Sequence, residues 1–177
     1  MELTPSELIV LGLIIERPQH GYDLEQVIER RGIRQWTEIG FSSIYYLLAK
    51  LEGRGLVHAP DAPTAAKSRR VFHVTASGRQ VGARSAFAFV AELRPVPNPL
   101  LVGVSNLSLL SRQGYARALR DRLAHVDARI AAVKEAESAQ ASLALPAREV
   151  FSYSLRLLEA ERSWLAARAQ VPDDEQD

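Results

Sequence analysis

Several side chains on one short segment are of the kind that meet a polyanion. In "FSSIYYLLAKLEGRGLV", residues 41–57, Ser42, Ser43, Tyr45, Tyr46 and Lys50 supply hydroxyls, phenols and an ammonium. The segment reads as a helix, because Ile44, Leu47, Leu48 and Leu51 recur at i, i+3, i+4 and i+7, one face of a 3.6-residue period. Ser42, Tyr46, Lys50 and Gly53 fall on the other side, with Ser43 and Tyr45 on its flanks. Hydroxyls at a helix N-terminus lie beside backbone N–H groups that attract phosphate. Phenols donate to phosphate or pack on a thymine methyl. Carboxylates, which phosphate would repel, are missing from that face; Glu52 points to the side.

The charge distribution agrees. The chain of 177 residues has a net charge of +1. Residues 42–80 nevertheless hold Lys50, Arg54, Lys67, Arg69, Arg70 and Arg79 against only Glu52 and Asp61. A local basic excess is the electrostatic footprint of a polyanion partner. A solvated charged loop would leave the same composition.

Other chemistries find no residues to carry them. With no cysteine, disulfides, thiolate catalysis and cysteine-ligated zinc are excluded. His20, His58, His73 and His125 are scattered; only His58 and His73, on adjacent strands, could approach each other. No metal or other cofactor is expected. There is no G-x-S-x-G, G-x-G-x-x-G or phosphate-binding Walker loop, so no enzyme is expected. The longest apolar run, residues 8–15, is far below the roughly 20 residues of a membrane span. No secretory signal pattern is read, and the expected location is cytoplasmic.

The elements that must position these residues are signalled in turn. "TPSE" is a capping box with Thr4 as N-cap, Pro5 at N1 and Glu7 at N3. The helix it opens is apolar on nearly all sides and stops at Pro18. A second helix spans about residues 21–30 and closes at Gly32, and the quoted helix is the third, capped by Ser42 or Ser43 and stopped by Gly55. Two short strands follow, "LVHAP" and "RRVFHVT", joined by the loop "DAPTAAKS". A fourth helix is expected from Thr75 to about Leu93. Three prolines within residues 94–99 then interrupt the chain.

Beyond them the sequence is helical. Leu119, Leu123, Val126, Ile130 and Val133 form a heptad seam. A last helix begins near Pro146 with two apolar stripes: Val150, Tyr153, Leu157 and Trp164, and Phe151, Leu155, Leu158 and Leu165. That is more than one neighbour needs, and predicts burial between the chain's own helices and those of a second subunit; a monomeric helical bundle is the alternative. The fold class is mainly α: an α+β winged helix-turn-helix with a two-stranded wing, plus an all-α dimerisation domain. The expected boundaries are 1–93 for the DNA-binding domain, 94–99 for a linker, 100–172 for the helical domain and 173–177 for an acidic tail. Helix three would enter the major groove, Lys67, Arg69 and Arg70 would reach phosphates from the wing, and a dimer would read two half-sites of a palindrome.

"HGYDL" at 20–24, "SSIYYLLAKLEGRGLV" at 42–57 and "RRVFHVTASGR" at 69–79 together resemble the PadR family of bacterial transcriptional regulators. Tyr45, Leu48, Leu51, Glu52, Gly55, Leu56, Thr75, Gly78 and Arg79 fall on its pattern. The wing strand departs from it, with Val71, Phe72 and His73 where the family usually has an aromatic-rich run. The C-terminal part is similar to a longer subgroup whose last helix ends in "WL", here Trp164 and Leu165. The resemblance implies a homodimeric DNA-binding transcription factor, usually a repressor, responsive to small aromatic or lipophilic molecules. An activator of the same family and a winged helix that binds protein instead of DNA are the alternatives. Trp36, Phe87, Phe89, Tyr153 and Trp164 are the aromatics for an effector pocket, or else core. Tyr45 is a phosphate anchor or a packing residue. Tyr22 is expected packed within the helix-turn-helix, with its hydroxyl on a phosphate.

Overall fold

The computed structural model describes residues 2–40, 43–60, 70–140 and 142–169. Helix α1, Pro5–Glu16, opens with the expected capping box: the Glu7 N–H donates to Thr4 Oγ1 at 3.2 Å and the Thr4 N–H donates to Glu7 Oε2 at 2.8 Å. Val10, Leu11, Leu13 and Ile14 are buried, so α1 is the central element of its unit. Two residues after it, Gln19–His20, form strand β1. The buried Gln19 amide donates to Leu13 O at 2.6 Å, a carbonyl that also accepts the Arg17 N–H at the helix end at 3.3 Å.

Helix α2, Gly21–Arg30, buries Leu24, Val27 and Ile28. A short 3-10 turn, Ile33–Gln35, leads to α3, Ser43–Gly53, which buries Ile44, Leu47, Leu48 and Leu51 as its periodicity requires. Strands β2, Val57–His58, and β3, Val71–Val74, follow, then α4, Ala76–Ala91. The sheet has three antiparallel strands in the order β1-β3-β2, with Gln19 opposite Phe72 and Val57 opposite Val74. The expected two-stranded wing therefore gains a third strand. Two residues behind a proline carry no alternation, and their partner lies some 50 positions downstream.

The turn from α3 into the wing is fixed by small residues. Gly55 adopts φ +68°, and the bonds Gly55 N–H to Glu52 O (2.8 Å) and Leu56 N–H to Leu51 O (2.9 Å) end the helix in a Schellman motif. Thr75 caps α4, accepting from the Gly78 N–H at 2.9 Å while its hydroxyl donates to Gly55 O at 2.8 Å. A Cβ on Gly78 would stand 2.0 Å from the Leu56 carbonyl oxygen. The T-x-x-G spacing thus locks the first turn of α4 onto the exit of α3.

Two expectations fail in this unit. Trp36 is not a core plug: it is 47% exposed, and Ile33 and Ile39 are buried instead. Tyr22 is 62% exposed, because α2 turns Leu24, Val27 and Ile28 inward and leaves the phenol outside.

The described residues divide into two compact units, one ending at Pro95 and the other beginning at Val96. The second holds α5, Pro99–Ser105, a 3-10 turn at Leu107–Leu109, α6, Arg112–Ser138, and α7, Leu145–Arg168. The heptad seam packs against α7: Leu119, Val126, Ile130 and Leu165 are buried together, flanked by Leu123, Leu155 and Leu158. Arg122 pairs with Glu161 and Arg162 with Asp127 along its edges. The other apolar stripe of α7 is left largely open, with Tyr153 and Leu157 exposed, as are Leu101 and Val102 on α5.

Gly78→Ala should destabilise the first unit by about 3 kcal/mol or more, since the new methyl group meets backbone and not a movable side chain. Gly12→Ala, in the interior of α1 with nothing within 4 Å of the added atom, should instead gain up to about 1 kcal/mol. Thermal or urea unfolding of the two variants checks the contrast.

Candidate nucleic-acid interface

Burying four aliphatic side chains orients α3 and leaves Tyr45, Tyr46, Ala49, Lys50 and Gly53 as its exposed positions. Tyr46 is 67% exposed. Tyr45 is half-exposed, and one edge of its ring lies against α2, where a Cβ on Gly21 would come within 2.7 Å of it. The glycine of "HGYDL" is thus what lets the two helices close on the tyrosine. Tyr45 is both a packed and an accessible side chain. Ser43 donates its hydroxyl to Gly40 O at 2.6 Å. Ser42, Lys67, Arg69 and residues 173–177 lie outside the described residues.

The basic residues are placed differently from the sequence reading. Lys50, expected as an outward DNA contact, has its ammonium 2.8 Å from Glu7 Oε1, and Arg54 reaches the same oxygen at 3.1 Å. Arg54 also donates to Glu2 O at 3.2 Å. Glu7 is 1% exposed. Burial opposes its ionisation, but the Lys50 ammonium, the Thr4 backbone N–H and the Arg54 guanidinium together outweigh that cost and hold the carboxyl below its ordinary value. The sequence accounts for Glu7 as the N3 residue of a capping box, which hid its second role. A carboxylate in an otherwise apolar helix was the signal that it needed a partner.

Arg70, assigned to the wing, forms a two-bonded fork with Glu52, one arm at 3.1 Å, and lies over the Phe72 ring at 5.4 Å. It ties the base of the wing to the last turns of α3. His58 and His73 do come together: they face each other across β2 and β3 with rings stacked 5.5 Å apart. No group of three or more potential metal ligands occurs among the described residues.

The aromatics read as pocket candidates are divided between the two units. Trp36, Phe87 and Phe89 belong to the first; Phe87 is exposed and Phe89 carries the Arg94 guanidinium 4.5 Å from its ring centre. Tyr153 and Trp164 belong to the second, where Arg168 covers Trp164 at 4.2 Å. A concavity of about 440 Å³ between α6 and α7 is lined by Ile130, Lys134, Glu159, Arg162, Ser163 and Ala166, none of them aromatic.

A helix pair with an exposed tyrosine-bearing second helix, followed by a strand pair braced on its exit, is a winged helix-turn-helix. Residues 10–84 match the model of the Transcriptional regulator PadR-like family, so the first unit is a PadR-family domain. Solved structures similar to the chain extend over both units. Bacillus subtilis PadR in complex with operator DNA is 21% identical, covering 93% of this chain and 96% of that one, with a TM-score of 0.72. The same protein in complex with p-coumaric acid is also 21% identical, over 91% and 94%, with a TM-score of 0.73. The Vibrio cholerae virulence activator AphA is 18% identical, over 92% and 95%, with a TM-score of 0.69. At such identities the likeness establishes the fold. No curated protein matches the sequence.

Because the folded carboxyl of Glu7 titrates below its ordinary 4.5, the stability it contributes is complete above that value and is lost as the pH falls through its lower folded value. Glu7→Gln keeps a side-chain acceptor for the cap but removes the charge. It should cost about 1–3 kcal/mol at pH 7. The gap to the parent should narrow below pH 4.5 in thermal melts; a gap independent of pH would show that the charge does not hold α3.

Proposed function

We propose that the chain is a homodimeric, sequence-specific DNA-binding transcriptional regulator, acting as a repressor that a small aromatic or lipophilic molecule releases from a palindromic operator. The observation that carries the DNA reading is the exposed face of α3, on which two tyrosines stand and no carboxylate, above a fully apolar buried face. Such a helix fits the major groove, with Tyr45, Tyr46 and the N-terminal Ser42 and Ser43 toward base edges and phosphates. Tyr22 is accessible for a phosphate, and Lys67 and Arg69 extend the contact from the wing. A complex of PadR with operator DNA, in a protein of the same fold, supports this assignment.

Apolar surface that the described residues leave uncovered supports the dimer. Tyr153 and Leu157 on α7 and Leu101 and Val102 on α5 are all more than half exposed. Covering each large apolar side chain is worth about 1.5–3 kcal/mol, which a second copy would supply. A two-fold pair then presents two α3 helices to two half-sites. The complex of PadR with p-coumaric acid supports an aromatic effector, for which Trp36 and Phe87 are accessible candidates in the first unit. No helix among the described residues is long and apolar enough to cross a membrane, which fits a cytoplasmic regulator. Activation is the second reading, favoured by the shared fold of AphA, a virulence activator. A reporter driven by the bound promoter distinguishes the two by the sign of its change when the gene is deleted.

Tyr46→Ala should leave the melting temperature within a few degrees, as a surface change of about ±0.5 kcal/mol does. Binding to the chain's own upstream region should weaken by about 1–3 kcal/mol in a mobility-shift titration at fixed salt. Unchanged affinity would remove α3 from the groove. In light scattering the parent should run as a dimer and Leu157→Glu as a folded monomer, because Leu157 lies outside the α6–α7 seam.

A further inference from the structure

We infer that Glu7 withholds the Lys50 ammonium from DNA, so that no cation among the exposed positions of α3 is left to seek phosphate. The inference rests on the DNA-binding reading. Lys50 is the one formal charge among the exposed positions of α3; Tyr45, Tyr46, Ala49 and Gly53 carry none. Its ammonium is held 2.8 Å from a carboxylate that cannot follow it outward, because Glu7 is 1% exposed and its other oxygen accepts from the Thr4 N–H. Drawing Lys50 to a phosphate would cost the buried carboxylate the shorter of its two ion pairs and leave Arg54, at 3.1 Å, as its remaining cation among the described residues.

A second, half-buried carboxylate engages a cation at the wing. Glu52 takes both arms of the Arg70 guanidinium. Two carboxylates therefore engage three of the basic residues that surround the proposed surface. Phosphate contacts add affinity for any sequence, whereas base contacts choose among sequences. Holding back backbone-seeking charges lowers the non-specific background against which the tyrosines select. Glu7 is a specificity-setting residue that acts through Lys50 and touches no DNA itself.

The test reads the salt dependence of binding. The parent, Glu7→Gln, Glu7→Gln with Lys50→Gln, and Lys50→Gln are titrated onto a random-sequence duplex and onto the upstream region over a range of salt. Gln at N3 preserves the capping box, so the variant changes the charge and keeps the helix start. In Glu7→Gln the slope of log K against log salt should steepen by about one unit, with random-sequence affinity rising more than that for the upstream region. The double variant should return to the parent slope, which a merely structural role of Glu7 would not produce. Lys50→Gln alone should leave the slope unchanged, an outcome that stands even if Glu7→Gln does not fold. An unchanged slope in folded Glu7→Gln, or a slope flattened by about one unit in Lys50→Gln, would overturn the inference while leaving the DNA reading intact. A parent that binds neither duplex at low salt would overturn both.

Discussion

A carboxylate buried in the first turn of α1 is costly unless something positive reaches it. Glu7 sits among the aliphatic side chains of the first unit and is reached by two cations from the far end of α3, Lys50 and Arg54. The ion pairs therefore work at a distance in sequence of more than 40 residues: they hold the last turns of α3 against the start of α1. Apolar packing alone is non-directional and would tolerate sliding or rotation of α3. A buried, hydrogen-bonded charge tolerates neither. The face that α3 turns outward is thus defined by what α1 requires inward, and the position of the tyrosines is a consequence.

The backbone devices around α3 serve the same end. Gly21 admits the Tyr45 ring against α2, Gly55 turns the chain out of α3, and Gly78 lets α4 begin in contact with the Leu56 carbonyl. Thr75 closes the circuit by bonding both to Gly55 and to the start of α4. An added methyl group at Gly21 or Gly78, or a right-handed backbone at Gly55, would push two elements apart. These positions coincide with the motif residues shared with the PadR family, which gives those motifs a mechanical meaning: they set the pose of one helix between its neighbours.

Much of this was legible in the sequence because it is local. The 3.6-residue period gave all four buried side chains of α3, the T-P-S-E capping box gave the start of α1, and the heptad seam gave the α6–α7 packing. What escaped was set by distant partners. Strand β1 exists only because β3 offers it a ladder. Lys50 and Arg70 read as free cations until Glu7 and Glu52 are seen beside them. Trp36 and Tyr22 looked like core because they are aromatic, but neither faces the interior once Ile33, Ile39 and the aliphatic face of α2 have filled it. In the C-terminal unit, the same broad stripe on α7 that looked over-generous for one neighbour proves to be half used, and the unused half is the surface assigned to a second copy.

The central claim is that the tyrosine-bearing face of α3 lies in the major groove, and the thymine methyl group offers a direct probe of it. Replacing thymine by 5-bromouracil in a bound duplex puts a photoreactive atom where that methyl group sits, on the floor of the groove. Irradiation of the complex followed by peptide mapping should place the cross-link within Ser43–Gly53, at Tyr45 or Tyr46. Cross-links that fall only outside that helix, in a complex that forms with full affinity, would contradict the account.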